Sequence, residues 1–168
     1  MTETTKNATS TGHTGTHQHG PRMEYAQAAP DVYKAMYALE RAAIEGLDHT
    51  LVELVKIRAS QLNHCAFCLD MHTKDARKAG ESEDRIYLLS AWREATGYYT
   101  EKEQAALALT EAVTVITDGF VPDEVWDEAA DAFDEKELAQ LIAVIVAINA
   151  WNRFAVTTRA VPGAYQAR

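Results

Sequence analysis

Residues 50–80 read TLVELVKIRASQLNHCAFCLDMHTKDARKAG, and this stretch decides the architecture. Leu51, Leu54, Val55, Ile57 and Leu62 recur at helical spacing, which predicts a helix from Thr50 to Leu62. A second helix is predicted from about Cys65 to Ala79, stopped by Gly80. At roughly 100° per residue, Cys68 falls about 60° from Cys65 on a helical wheel and His72 lies between the two directions. The three share one narrow stripe that Ala76 and Ala79 extend, and its small far end suits close packing, so the stripe is expected to face inward. A chain reversal at Asn63 and His64 would lay the two helices side by side as an αα-hairpin.

The same periodicity runs outward in both directions. Pro30 and Asp31 open a segment with Val32, Met36, Leu39, Ala43 and Ile44 on its apolar face, ending near Gly46. Ser82, followed by Glu83 and Asp84, starts a segment expected to last to about Gly97. Thr100 with Glu103, and Asp134 with Glu137, have capping-box spacing and introduce helices to about Thr117 and Ala160. Pro122 and Asp123 begin another that ends near Phe133. The β-branched runs Val113 to Thr117 and Val144 to Ile148 lie inside longer helical patterns, and no glycine-rich turn pairs them. The fold class is all-α, a helical bundle.

With 168 residues, 47% of them hydrophobic and 24% charged, the chain has the size and composition of one globular domain. Residues 1–22 are Thr, Gly, Ser, His and Asn-rich and are expected to form a disordered polar tail, leaving 23–168 as a single domain. His13, His17 and His19 in that tail read as solvated polar groups. The formal net charge of −9, without a Lys/Arg stripe, argues against a nucleic-acid or anionic-membrane partner. No signal-peptide core is evident, and the longest apolar run, Leu141 to Ala150, is broken by Asn149, so a buried helix and a cytoplasmic location are expected.

In a reducing compartment two cysteines three residues apart point to redox or metal chemistry rather than a structural staple. On a helix their Cα atoms lie about 5–6 Å apart, within the window a disulfide needs. His72, one turn past Cys68, is placed to accept a thiol proton and stabilise the thiolate. Glu53 is ten residues before the reversal and His72 eight after it, which puts both about 12–15 Å from the turn. A carboxylate there would orient the imidazole. Ordinary buried thiols remain an alternative, as does a zinc site, since two thiolates and an imidazole are three zinc ligands. His64 reads as a turn cap. Asp70, Lys74 and Asp75 read as solvent-facing, and Trp92, Trp126 and Trp151 as anchors of the core or of a subunit contact. Asn149 and Asn152, in or beside the apolar run, need hydrogen-bond partners if buried.

Cys65-x-x-Cys68-x-x-x-His72 with Glu53 twelve residues upstream resembles the signature of alkylhydroperoxidase D, of the carboxymuconolactone decarboxylase family. Lys56-Ile57-Arg58, Ala91-Trp92-Arg93 and Ile148-Asn149-Ala150-Trp151-Asn152-Arg153 extend the likeness over roughly residues 25–160. The resemblance implies an alkylhydroperoxidase D-like bundle with the cysteine pair at the start of a central helix, assembled as a trimer or hexamer. It implies an antioxidant peroxidase in which Cys68 is oxidised to a sulfenic acid, Cys65 condenses with it, and Glu53 and His72 relay protons. A hydroperoxide would be the substrate and a lipoylated or thioredoxin-like dithiol protein the reductant, with no bound cofactor. One departure is Phe67, where members with a demonstrated relay carry a second histidine. Helix-terminus electrostatics alone would favour Cys65 as the more acidic thiol. A redox sensor, a zinc module, and a decarboxylase or isomerase on the same scaffold are the rival readings.

Overall fold

The computed structural model describes residues 20–167 and contains, among them, eight α-helices, one 3-10 turn and no β-strand. The helices are α1 (Tyr25–Ala28), α2 (Pro30–Ala43), α3 (His49–Leu62), α4 (Ala66–Lys78), α5 (Glu83–Leu88), α6 (Glu101–Thr114), α7 (Asp123–Ala132) and α8 (Glu135–Thr158), with the 3-10 turn at Leu89–Ala91. Side chains close the helix starts where the sequence has capping residues. Asp48, Ser82, Thr100 and Asp134 accept from the backbone N–H three residues on, and Thr100 and Asp134 complete full capping boxes with Glu103 and Glu137, each such cap contributing about 1 kcal/mol.

The most enclosed helix is α3, which packs against α4, α6 and α8 and is buried at nearly every position from Leu51 to Ser60. That enclosure also buries the polar Glu53, Lys56 and Ser60 along with the apolar residues of the helix, so each of them needs a partner inside the bundle. Val52, Val55, Ala106, Leu109, Leu141, Val144 and Ile145 form one core layer, and Leu54, Ile57, Leu89, Trp92 and Leu107 a second. A smaller cluster holds Ala59, Cys65, Cys68 and Ile148, with Phe67, Trp151 and Ala155 packed against it.

The turn that positions this third cluster is a Schellman motif. Cys65 N–H donates to Ser60 O at 3.0 Å and His64 N–H to Gln61 O at 3.1 Å, with His64 in the left-handed region at φ 53°. Those two bonds satisfy carbonyls the end of α3 would otherwise leave unpaired, and they turn the chain straight into α4. The predicted hairpin is formed, and its reversal lies where the sequence placed it.

Several expectations are corrected. The helix expected to reach Gly97 stops at Leu88, because the chain tightens into the 3-10 turn that drives Leu89 and Trp92 into the core and then turns again before Gly97, φ 83°. Val32 and Leu39, read as core, are exposed, and α2 instead turns Tyr33, Met36, Glu40 and Ala43 inward. Trp126 is also exposed, whereas Trp92 is buried and Trp151 half-buried. Helix α1 is a single turn ahead of the segment that Pro30 opens, and Tyr25 on it stacks on Phe154 with ring centroids 4.4 Å apart. The proposed tail lies mostly outside the described residues. Within its last three, Arg22 N–H donates to Thr158 O at 2.7 Å.

Helix α8 has the length and hydropathy to cross a membrane. It packs against α2, α3, α4 and α6 and turns Leu138, Leu141, Val144, Ile145 and Ile148 into the bundle, the behaviour of a core helix.

Candidate active site

Cys65 is the N-cap of α4 and Cys68 lies in its first turn. Both are free thiols, each 1% exposed, with Sγ atoms 2.7 Å apart and one S–H donating to the other sulfur. The Cys65 sulfur also accepts from Cys68 N–H at 3.4 Å. Because Cys65 stands at the helix start rather than within it, unpaired N–H groups and the positive end of the helix dipole converge on its sulfur.

The electrostatic consequence is asymmetric. The hydrogen bond from the Cys68 thiol, opposed by burial and assisted by the Cys68 and Phe67 N–H groups and the Asn152 side chain, brings the Cys65 pKa down to about 7. The same S–H···S bond, together with burial and the nearby Cys65 charge, pushes the Cys68 thiol well up. The pair is thus polarised, with Cys65 the more acidic of the two thiols.

One turn further along α4, His72 is buried and its Nδ1 lies 2.9 Å from Glu53 Oε2 on α3. Burial works against the Glu53 charge, but the hydrogen bond from His72 and the charges of His72, Lys56 and His49 outweigh it and hold the carboxyl below the usual range. Lys56 Nζ lies 3.7 Å from Glu53 Oε1 and 2.6 Å from Glu40 Oε1, and Trp151 Nε1 donates to Glu40 Oε2 at 2.8 Å. Sequence reasoning missed Glu40 and Lys56. Each reads alone as an exposed helix charge, and only the folding of α2 onto α8 brings Glu40 into the bundle.

The stripe along α4 faces inward from Cys68 through His72 to Ala76, but not to Ala79, which is exposed because α4 ends there. Asp70, Lys74 and Asp75, expected to face solvent, hold the C-terminal segment across α4. Gly163 N–H donates to Asp70 Oδ2 at 3.0 Å, Lys74 Nζ to Tyr165 O at 3.1 Å, and Tyr165 OH to Asp75 Oδ1 at 2.8 Å. Donor atoms of Glu53, His72 and Asp75 lie within 4.8 Å of one another and could share a metal ion. The cysteines are not part of that group.

A cleft of about 330 Å³ opens beside Cys65, between the start of α4 and the end of α8. Phe67, Ala155, Val156, Val161 and Pro162 make its walls largely apolar, with His64 and Arg159 at the polar edge. It has room for an organic molecule of modest size, and Cys65, not Cys68, lines it.

With this geometry in view, the likeness to known proteins is specific. Residues 30–112 match the carboxymuconolactone decarboxylase family. The uncharacterized protein YdfG of Bacillus subtilis is 44% identical over 136 residues, spanning 80% of this chain and 92% of YdfG. A crystal structure from Agrobacterium tumefaciens, of a protein of unknown function for which an AhpD antioxidant-defence role has been suggested, superposes with a TM-score of 0.83 at 41% identity, covering 87% of this chain and 100% of that one. The debrominase Bmp8 shares the fold at 19% identity, with a TM-score of 0.73 over 82% of this chain and 74% of its own. The chain belongs to the carboxymuconolactone decarboxylase family, as an alkylhydroperoxidase D-like member.

Proposed function

We propose that the protein is a thiol peroxidase that reduces hydroperoxides through a dithiol/disulfide cycle of Cys65 and Cys68. The observation that carries the reading is a buried, reduced cysteine pair with touching sulfurs at the wall of an open cleft, one helical turn from a carboxylate-held imidazole. Structural thiols need neither the cleft nor the adjacent acid–base pair.

The cycle balances as follows. A thiolate attacks the O–O bond, giving a sulfenic acid and an alkoxide that takes a proton to leave as alcohol, or as water from hydrogen peroxide. The second thiol displaces hydroxide from the sulfenic sulfur, forming the Cys65–Cys68 disulfide and water. A dithiol reductant then exchanges with that disulfide, leaving oxidised itself and restoring both thiols. The family resemblance gives the attack to Cys68 and the resolving step to Cys65. Cys68 is the less acidic thiol of the pair, so it must lose a proton as it attacks. His72, at the next turn, is the base for that transfer, and Glu53 stabilises the imidazolium that results. Cys65, on the cleft wall, is then the sulfur that meets the reductant. Phe67, in place of a second histidine, leaves this single imidazole to move the proton.

The reductant we propose is a lipoylated or thioredoxin-like dithiol protein of the cytoplasm, and the working form a homo-oligomer. Exposed Val32, Leu39, Val146 and Val156 are the apolar surface such an assembly would cover.

The test is peroxide consumption by metal-free protein with a dithiol reductant, beside Cys68→Ser and Cys65→Ser. Turnover by the wild type and none by either variant is expected, with a trapped sulfenic acid at Cys68 in Cys65→Ser. No wild-type turnover with either cumene hydroperoxide or hydrogen peroxide sinks the reading. The likeness to a debrominase makes a brominated pyrrole the control acceptor, because loss of bromide also consumes two electrons from a dithiol.

A further inference from the structure

The buried acidic and basic side chains near the cysteines, Glu53, Lys56 and His72, lie on one side of α4. On the other side, against α8, the buried polar groups are neutral. Asn63 Nδ2 donates to Asn149 Oδ1 and to Asn152 Oδ1, each at 2.9 Å, and Asn152 Nδ2 donates to Ser60 Oγ at 3.0 Å. Ser60 and Asn152 are 0% and 1% exposed.

Asn152 is placed at the sulfurs by packing. Ile148, Trp151 and Ala155, its neighbours on one face of α8, all pack on the cluster that contains Cys65 and Cys68. The amide oxygen is occupied by Asn63, which fixes the orientation of the amide and leaves its nitrogen facing Ser60. One N–H goes to Ser60 Oγ. An amide nitrogen has two, and Ser60, which takes the first, also holds the Cys65 N–H on its carbonyl oxygen at 3.0 Å, so the amide sits beside the cysteine pair with one N–H to spare.

We infer that Asn152 is a further catalytic residue of the thiol site, its side-chain N–H donating to the cysteine sulfurs and stabilising whichever of them bears the negative charge. A thiolate 1% exposed has lost its hydrating water, and burial without donors would return it to the neutral thiol. A backbone N–H at the α4 start reaches the Cys65 sulfur, whereas the Asn152 amide is held by Ser60 and Asn63 beside the cluster that contains both cysteines. It can therefore follow the charge as it moves between them. Ser60 and Asn63 act through Asn152 as positioning residues.

The inference rests on thiol redox chemistry for its purpose, but its test does not depend on peroxidase turnover. The rate of iodoacetamide alkylation of the reduced protein is measured against pH, with the modified cysteine identified by peptide mass. Asn152→Ala is expected to raise the midpoint by about one pH unit, slowing alkylation about tenfold below it, the size expected for a lost hydrogen bond to a charged sulfur. Asn149→Ala removes an equally embedded amide of the same network, and is expected to leave the midpoint where it is. An unshifted midpoint in folded Asn152→Ala overturns the inference, as does an equal shift in both variants. Should circular dichroism show Asn152→Ala unfolded, Ser60→Ala decides. It removes one of the two partners that aim the amide, so a smaller rise of the midpoint supports the role and an unchanged one overturns it.

Discussion

Two buried polar clusters flank the cysteine helix, and they are built of opposite materials. Toward α2 and α3 lie Glu40, Lys56, Glu53 and His72, all ionisable and joined in one line. Toward α8 lie Asn63, Asn149, Asn152 and Ser60, none of which titrates. The charged line can accept or release a proton, but it depends on every charge having its partner. The amide network cannot move a proton, yet it presents fixed dipoles at every pH. The proposed thiol chemistry, in which a thiol is deprotonated and its anion sheltered, would have a use for each.

The comparison is sharpest at Lys56, whose ammonium is shared between two carboxylates. Lys56→Met would strand Glu40 and Glu53 as buried anions, and a loss of about 3–5 kcal/mol in unfolding free energy is expected by urea denaturation. A loss below 1 kcal/mol would mean that the line is not held together by charge. Glu53→Gln keeps the shape and removes the charge. Turnover is expected to fall about 10²-fold, read from peroxidase rates at saturating reductant. This variant also carries a pH signature. The Glu53 carboxyl is held low when folded, so its contribution to stability is present above the unfolded value of about 4.3 and lost as pH falls through the lower folded value. Acid melting curves of Glu53→Gln should accordingly be flatter than the wild type's across that window. The neutral cluster should respond least. Asn149→Ala removes the donor to the Thr114 hydroxyl and an acceptor shared by Asn63 and Arg153, for a loss of about 1–3 kcal/mol by the same urea assay, with no dependence on pH. A pH-dependent loss there would erase the distinction between the clusters.

Much of this was legible in the sequence because it depends on local spacing. The hairpin, the inward stripe from Cys68 to Ala76 and the Glu53–His72 height match all follow from counting residues about a predictable turn. The caps Asp134 and Thr100 announced themselves by their partners three residues on. What escaped depends on distant chain. Glu40 and Lys56 meet only because α2 lies against α8, and no spacing within α2 signals it. Tyr33 rather than Val32 faces inward for the same reason. Asp70, Lys74 and Asp75 were read as solvated charges, since nothing local shows that residues ninety positions later return to bond them. The α5 helix was overextended because its sequence stays compatible with a helix, and burial of Leu89 and Trp92 overrides that preference.

Trp151 and Asn152 are consecutive in sequence, yet the first reaches Glu40 in the charged line and the second reaches Ser60 in the neutral one. The same helix ends at Ala155, Val156 and Arg159 in the wall of the cleft. Helix α8 thus works as a common axle. A slide by one residue, about 1.5 Å, or a small rotation would disengage both neighbours together. A displacement of α8 that broke one contact would therefore reach the other, and Asn152 and Glu40 variants are expected to combine non-additively.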